Sequence, residues 1–237
     1  MLDRIRLENI LFLDLETVPE HESFEALSPY VQELWEGKTR NLRKDEVGPA
    51  EYYERAGIWA EFGKIICLSV GFFSGMGSTR TFRLRSFTGT ERDILTAFSE
   101  LLNAHYIGPR KYLCAHNGKE FDYPFMARRM LILGLPLPEK LNLFGKKPWE
   151  IPHLDTLELW KFGDFKNYTS LKLLAHVLGI PSPKEDIDGS MVRDVYYQEG
   201  DLERITHYCE RDVVTVAQIF LRLRNEPLLT EDQIIHV

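Results

Sequence analysis

Cysteine is scarce in this 237-residue chain, and basic charge is outnumbered by acidic charge. Cys67, Cys114 and Cys209 form an odd set with no Cys-x-x-Cys spacing, which argues against both a disulfide framework and a structural zinc site. Cys67 and Cys114 lie in apolar runs and read as core, and Cys209 as a helix-packing residue. No apolar run reaches the roughly 18 residues of a membrane span. The longest early run, Ile10 to Leu13, has only a strand's length. Met1-Leu2-Asp3-Arg4 lacks a charged-then-apolar signal arrangement, so a cytoplasmic protein is expected. Internal repeats and low-complexity tracts are absent as well, which sets aside solenoids and disordered arrays. With 29 Lys and Arg against 36 Asp and Glu, the formal net charge is -7. That balance disfavours tight, sequence-independent binding of a duplex through a broad basic surface. It leaves open an enzyme whose bound divalent cations screen phosphate locally.

What is present is a hydrophobic share of 44%, ample for a buried core. The length suits a single domain, 1–237, carrying one insertion. The stretch 8–16 is apolar on both faces until Asp14, the pattern of a central strand running into a polar end. From 19 to 63 the sequence turns charged and aromatic, with short helices expected near 24–35 and 49–56. Undecorated loops of that length are uncommon in compact domains, so the segment reads as the insertion. Strands are expected at 64–73 and 79–87 around a Gly75-Met76-Gly77-Ser78 turn. A helix capped by Thr90 follows, with Ile94, Leu95, Phe98, Leu101 and Leu102 on its apolar face. Then come a strand at 112–115, a helix from about Pro124 to Gly134, a proline-rich loop, a strand at 153–155, and helices near 170–178, 189–198 and 202–223. Three early strands suit an antiparallel meander, and the later alternation suits parallel additions to the same sheet.

Asp14 and Glu16, two apart on a strand, share a face. Two carboxylates placed together repel, and a divalent cation between them relieves the repulsion. The plain alternative is a strand end reaching solvent. In His116-Asn117-Gly118-Lys119-Glu120-Phe121-Asp122-Tyr123-Pro124, a turn ends the strand and Asp122 falls at the next helix start, either as a cap or facing the end of the first strand. In His207-Tyr208-Cys209-Glu210-Arg211-Asp212, Tyr208 and Asp212 lie one helical turn apart on one face. They read either as core aromatic and solvated charge, or as a phenol able to hold a water beside a metal-bound carboxylate. Asp201 caps this helix, so His207 is turned well away from the face of Asp212.

Together, Phe-Leu-Asp-Leu-Glu-Thr, Asn-Gly-Lys-Glu-Phe-Asp-Tyr-Pro and Tyr-Cys-Glu-Arg-Asp resemble the three ordered motifs of the DEDD superfamily of 3′→5′ exonucleases. The sequence is most similar to the DEDDy branch, which includes the proofreading exonuclease of family B DNA polymerases and its stand-alone relatives. Ser170 to Ala175 followed by Leu178-Gly179-Ile180 resembles the family's segment between the second and third motifs. The resemblance covers about Ile10 to Leu223 apart from the insertion. It implies an α/β, ribonuclease-H-like fold: a mixed sheet, antiparallel meander plus parallel strands, flanked by helices. It also implies two divalent cations, Mg²⁺ or Mn²⁺, held by Asp14, Glu16, Asp122 and Asp212. Tyr208 would serve as the fifth catalytic residue, and the products would be nucleoside 5′-monophosphates. Leu15 and Thr17 would lie near the terminal nucleotide, Asn117 and Phe121 would line the same pocket, and Lys166 would touch a phosphate.

The expected partner is the 3′ end of single-stranded nucleic acid or a frayed end, DNA before RNA. An RNA-trimming exoribonuclease with the same site, or a non-catalytic nucleic-acid-binding module on the same fold, is the alternative. The basic pairs Arg110-Lys111, Arg128-Arg129 and Lys146-Lys147 read as ordinary surface.

Overall fold

A computed structural model of the chain describes residues 2–43, 47–164, 168–181 and 187–237. Its centre is a six-stranded sheet in the order β5-β4-β1-β2-β3-β6. The strands are β1 (Ile10–Pro19), β2 (Gly63–Ser74), β3 (Thr81–Thr88), β4 (Tyr112–Ala115), β5 (Leu154–Asp155) and β6 (Ile234–His236). β1, β2 and β3 form the antiparallel meander, while β4 and β5 extend it in parallel beside β1. The helices are α1 (Pro29–Thr39), α2 (Pro49–Tyr52), α3 (Glu91–His105), α4 (Asp122–Ile132), α5 (Thr156–Lys161), α6 (Leu171–Val177), α7 (Val192–Asp194) and α8 (Leu202–Leu223). Among the described residues no helix is long and apolar enough to cross a membrane. The arrangement is a ribonuclease-H-like mixed sheet flanked by helices.

The apolar run of β1 follows from its central place, with helices on both faces. Leu11, Leu13 and Leu15 enter one core with Ile94, Leu95 and Phe98 of α3 and Met126 and Met130 of α4. Ile10 and Phe12 face the other way, toward Val213, Val216 and Phe220 of α8. The Phe12 ring meets Phe73, Phe82 and Phe220 edge-on at 5.6, 5.9 and 5.7 Å, geometries that suit aromatic quadrupoles. Between Glu16 and Thr17 the register against β2 slips. Glu16 lies opposite Cys67 and Thr17 opposite Ile65, so Ile66 is an extra residue. Ile66 and Cys67 both join Val18, Ile205 and Cys209 in a core against α8. Such a bulge bends and twists the strand locally, here beside Glu16.

Residues between β1 and β2 close a small core of their own: Trp35 with Leu27, Tyr53, Ala56 and Phe62. The Trp35 indole N–H donates to the Pro49 carbonyl at 2.8 Å. The helix expected over 24–35 begins only at Pro29. Phe24–Ala26 is a single 3-10 turn, and Ser28, extended before a proline, caps α1 through Val31 N–H. The helix expected over 189–198 is also interrupted. α7 passes into a π-helical turn over Val195–Glu199 that Gly200 ends at φ +69°. That turn carries Tyr197, whose hydroxyl donates to the Pro19 carbonyl at the end of β1 at 2.6 Å. β6 was not signalled by its three residues. It pairs in parallel with β3, and Val237 N–H donates to Leu84 O at 2.9 Å.

Candidate active site

β1 brings Asp14 and Glu16 to the side of the sheet that α8 covers. Neither sits at a solvent-facing strand end, because β1 runs on to Pro19 and Glu16 is only 8% exposed. The Cys209 thiol of α8 reaches over and donates to the Asp14 backbone carbonyl at 3.3 Å. Carboxylate oxygens of Asp14 and Glu16 and the Cys209 sulfur lie within 4.8 Å of one another. Cys209 therefore packs the helix, as expected, and packs it onto the acid pair.

Asp122 is the first residue of α4 and is 3% exposed. It is no ordinary cap: Phe121 holds the N-cap position without a side-chain bond. The backbone amides of Asp122 itself and of Leu15 on β1 favour its charged form. Burial pushes its titration up to about 8, and the charge of Asp155 adds to the rise.

Burial likewise raises Asp14 well above the carboxylate range, and the charges of Glu16, Asp212 and Asp122 raise it further. Glu16 is raised by burial first and then by Asp212. Asp14 Oδ2 is buried with no hydrogen-bond partner among the described residues. A buried oxygen without a donor, set among carboxylates that repel one another, is costly on its own. An all-oxygen donor set of this kind fits a hard divalent cation. A 340 Å³ cleft opens beside it, lined by Asp14, His116, Tyr168, Leu171, Tyr208 and Asp212 among others.

α8 explains why Tyr208 and His207 part company. The Asp201 side chain accepts from Arg204 N–H at 3.0 Å, so the helix is running by residue 207. Tyr208 and Asp212 line the acid cleft, while His207 is exposed and lines a separate groove with Glu210 and Arg211.

The turn before α4 is built by a residue whose second role the sequence did not disclose. Asp155, at the end of β5, caps α5 by accepting from Leu157 N–H at 2.9 Å and Glu158 N–H at 3.3 Å. It also accepts from Asn117 N–H at 3.0 Å and Lys119 N–H at 3.1 Å. One buried carboxylate thus fixes the loop that delivers Asp122. The second pair of donors comes from a segment remote in sequence. Asn117 adopts φ +63° there. Gly118 is required by close approach, since a Cβ would lie 2.5 Å from that of Ala115 and 3.0 Å from the Tyr123 ring. His116 is structural: its ring nitrogens meet Thr156 Oγ1 and Thr169 O, each at 2.9 Å.

Other expectations change. The Leu15 side chain is 4% exposed and packs in the core, away from the lining of the cleft. Phe121 is half-buried against the core, its ring 5.4 Å from Phe125, and Thr17 is half-buried. Lys166 lies outside the described residues. Arg129 is not surface: it is buried and ion-paired with Glu91.

Residues 58–233 match the model of a family described as a predicted 3′-5′ exonuclease related to the exonuclease domain of PolB. The matched span contains Asp122, Tyr208 and Asp212, while Asp14 and Glu16 precede it. Among solved structures, the fold is similar to the family B DNA polymerase of the hyperthermophilic archaeon Pyrobaculum calidifontis, with TM-score 0.53 and 13% identity. The likeness covers 88% of this chain and 23% of the polymerase chain. No curated protein matches.

Proposed function

Since this chain belongs to the family of predicted 3′-5′ exonucleases related to the exonuclease domain of PolB, we propose that it hydrolyses single-stranded or frayed DNA from the 3′ end, releasing nucleoside 5′-monophosphates. The observation that carries this reading is the mutual electrostatic strain of half-buried Asp14 and buried Glu16 and Asp122 with Asp212, around an Asp14 oxygen that has no donor among the described residues. Asp14, Glu16, Asp122 and Asp212 would hold two divalent cations, Mg²⁺ or Mn²⁺. When bound, such a pair stabilises the attacking and leaving oxygens of an in-line displacement.

The protein's own groups supply the rest. The turn held by Asp155 fixes Asp122. The Cys209 contact fixes the height of α8 over β1. Tyr208, facing the same cleft as Asp14 and Asp212, orients the attacking water through its phenol. Thr17, Asn117 and Phe121 border the terminal nucleotide. The chain acts as one exonuclease domain in which residues 19–63 are an insertion shaping access. Deleting that insertion would change the distribution of product lengths.

The decisive experiment is digestion of 5′-labelled single-stranded DNA and RNA of matched sequence with Mg²⁺, Mn²⁺ or chelator, using wild type beside Asp14→Ala. The expected result is a ladder shortening from the 3′ end of DNA that needs metal and vanishes in the variant. Measurable binding of both polymers with degradation of neither would replace the enzyme with a binding module, and RNA shortened in preference to DNA would replace the substrate.

A further inference from the structure

Besides acids and a phenol from β1 and α8, the cleft is lined by Tyr168, Leu171 and Ala175 from α6 and the segment before it, with Lys172 and Asp188 at the same opening. Tyr168 is 67% exposed although it borders a cavity. The backbone that follows it is held firmly. The Thr169 carbonyl can only accept, so His116 Nε2 carries the proton that bonds it at 2.9 Å, and Nδ1 faces the Thr156 hydroxyl. Ser170 then caps α6 through Leu173 N–H at 3.3 Å. An aromatic ring is thereby presented to open solvent on an anchored backbone, in the same cleft as Asp14 and Asp212. The volume of 340 Å³ is at the small end of ligand sites, as a single terminal nucleotide requires.

We propose that Tyr168 is the stacking platform for the 3′-terminal base, a role that rests on the exonuclease reading above. Every base has a π-face, so a tyrosine here holds any 3′ end without selecting sequence. It also leaves the terminal phosphodiester free to lie toward the acids. Half-buried Leu171 would support the edge of the same base. Neither residue would act on the bond itself, so the contact should appear in substrate affinity and leave the chemical step alone.

The test compares two 5′-labelled DNA single strands that differ only in their last nucleotide, dA or an abasic sugar. Metal-dependent digestion gives kcat and KM, and fluorescence anisotropy in chelator gives binding without turnover. Wild type should favour the dA end roughly tenfold in KM and in Kd, the scale of one base stacked on one ring. Tyr168→Ala should erase that preference, bringing KM and Kd for the dA end to the abasic values, and Tyr168→Phe should keep it. A Tyr168→Ala protein that still discriminates the two ends, or that loses kcat equally on both, would overturn the platform while leaving the exonuclease reading intact. No digestion by wild type of either strand would instead overturn the exonuclease reading itself, and the anisotropy arm would still decide whether Tyr168 stacks a terminal base.

Discussion

Two groups of charged side chains are buried against β1, and they meet the cost of burial in opposite ways. On the side of α3 and α4, Arg129 is 2% exposed and fully partnered. Its Nε and Nη2 bond the two Glu91 oxygens at 2.8 and 2.6 Å, and Nη1 donates to Ala60 O at 2.9 Å. Glu91 Oε1 accepts Ile65 N–H at 2.8 Å as well. At the acid cleft, Glu16 and Asp122 are buried and Asp14 half-buried among like charges, and Asp14 Oδ2 has no donor among the described residues. The first group staples α4, α3 and β2 together. The second stabilises nothing by itself, and it is the group proposed above to hold cations. Burial of charge is common to both; complementarity is what separates a structural cluster from a functional one.

The largest test of that contrast is Asp14→Ala. It should cut exonuclease activity by roughly three orders of magnitude, the scale for losing a preorganised electrostatic element. The same change should leave the thermal midpoint of the metal-free protein unchanged or higher, because it removes repulsion. A variant that is both inactive and markedly destabilised would collapse the contrast.

Arg129→Met should do the reverse, costing about 3–5 kcal/mol in urea unfolding by leaving Glu91 buried without its partner. Arg129→Met combined with Glu91→Leu should recover most of that loss. If the double variant is no better than the single, the pair is not the staple described here.

Within the acid cleft, Tyr208→Phe should lower kcat by about a hundredfold, while His207→Ala, which lines another groove, should leave it unchanged. The opposite ranking in single-turnover kinetics would reassign the water-orienting role.

The smallest effect is on pH. Asp14, Glu16 and Asp122 have folded-state pKa values above the roughly 4 of unfolded carboxylates. Their contribution to stability is therefore complete below about pH 4 and is lost as pH rises toward the value of about 8 at Asp122. His153 works in the other direction. Burial depresses it to about 4, so its contribution is complete above about 6.5 and is lost as pH falls. Between about pH 6.5 and 8, where His153 no longer contributes a slope, the metal-free melting temperature should fall with pH. Mg²⁺ should restore it, most strongly at the upper end. A flat or rising profile without metal would count against the cluster's raised titration.

Much of this was legible in the chain. The apolar run before Asp14 marked β1 because a strand covered on both faces needs no alternation. The Asp201 cap fixed the phase of α8 and so separated Tyr208 from His207 before any coordinates. Other features depend on partners far away in sequence. Nothing local distinguishes Arg129 from Arg128, because its burial is decided by Glu91 and by the carbonyl of Ala60. Asp155 looks like a helix cap, and its hold on Asn117 and Lys119 exists only once β4 and β5 are side by side. β6 has too few residues to carry a period.

The acids of the cleft are drawn from elements spread along the chain, and α8, formed late in it, both carries Asp212 and covers the α8-facing side of β1. A chain interrupted before α8 would therefore have Asp14 and Glu16 but no fourth acid, and an apolar sheet face open to water. For the exonuclease proposed above, this would make assembly its own safeguard. A half-made or truncated copy would be inert toward nucleic acid and conspicuous to chaperones and proteases, and the hazardous activity would appear only with the last helix.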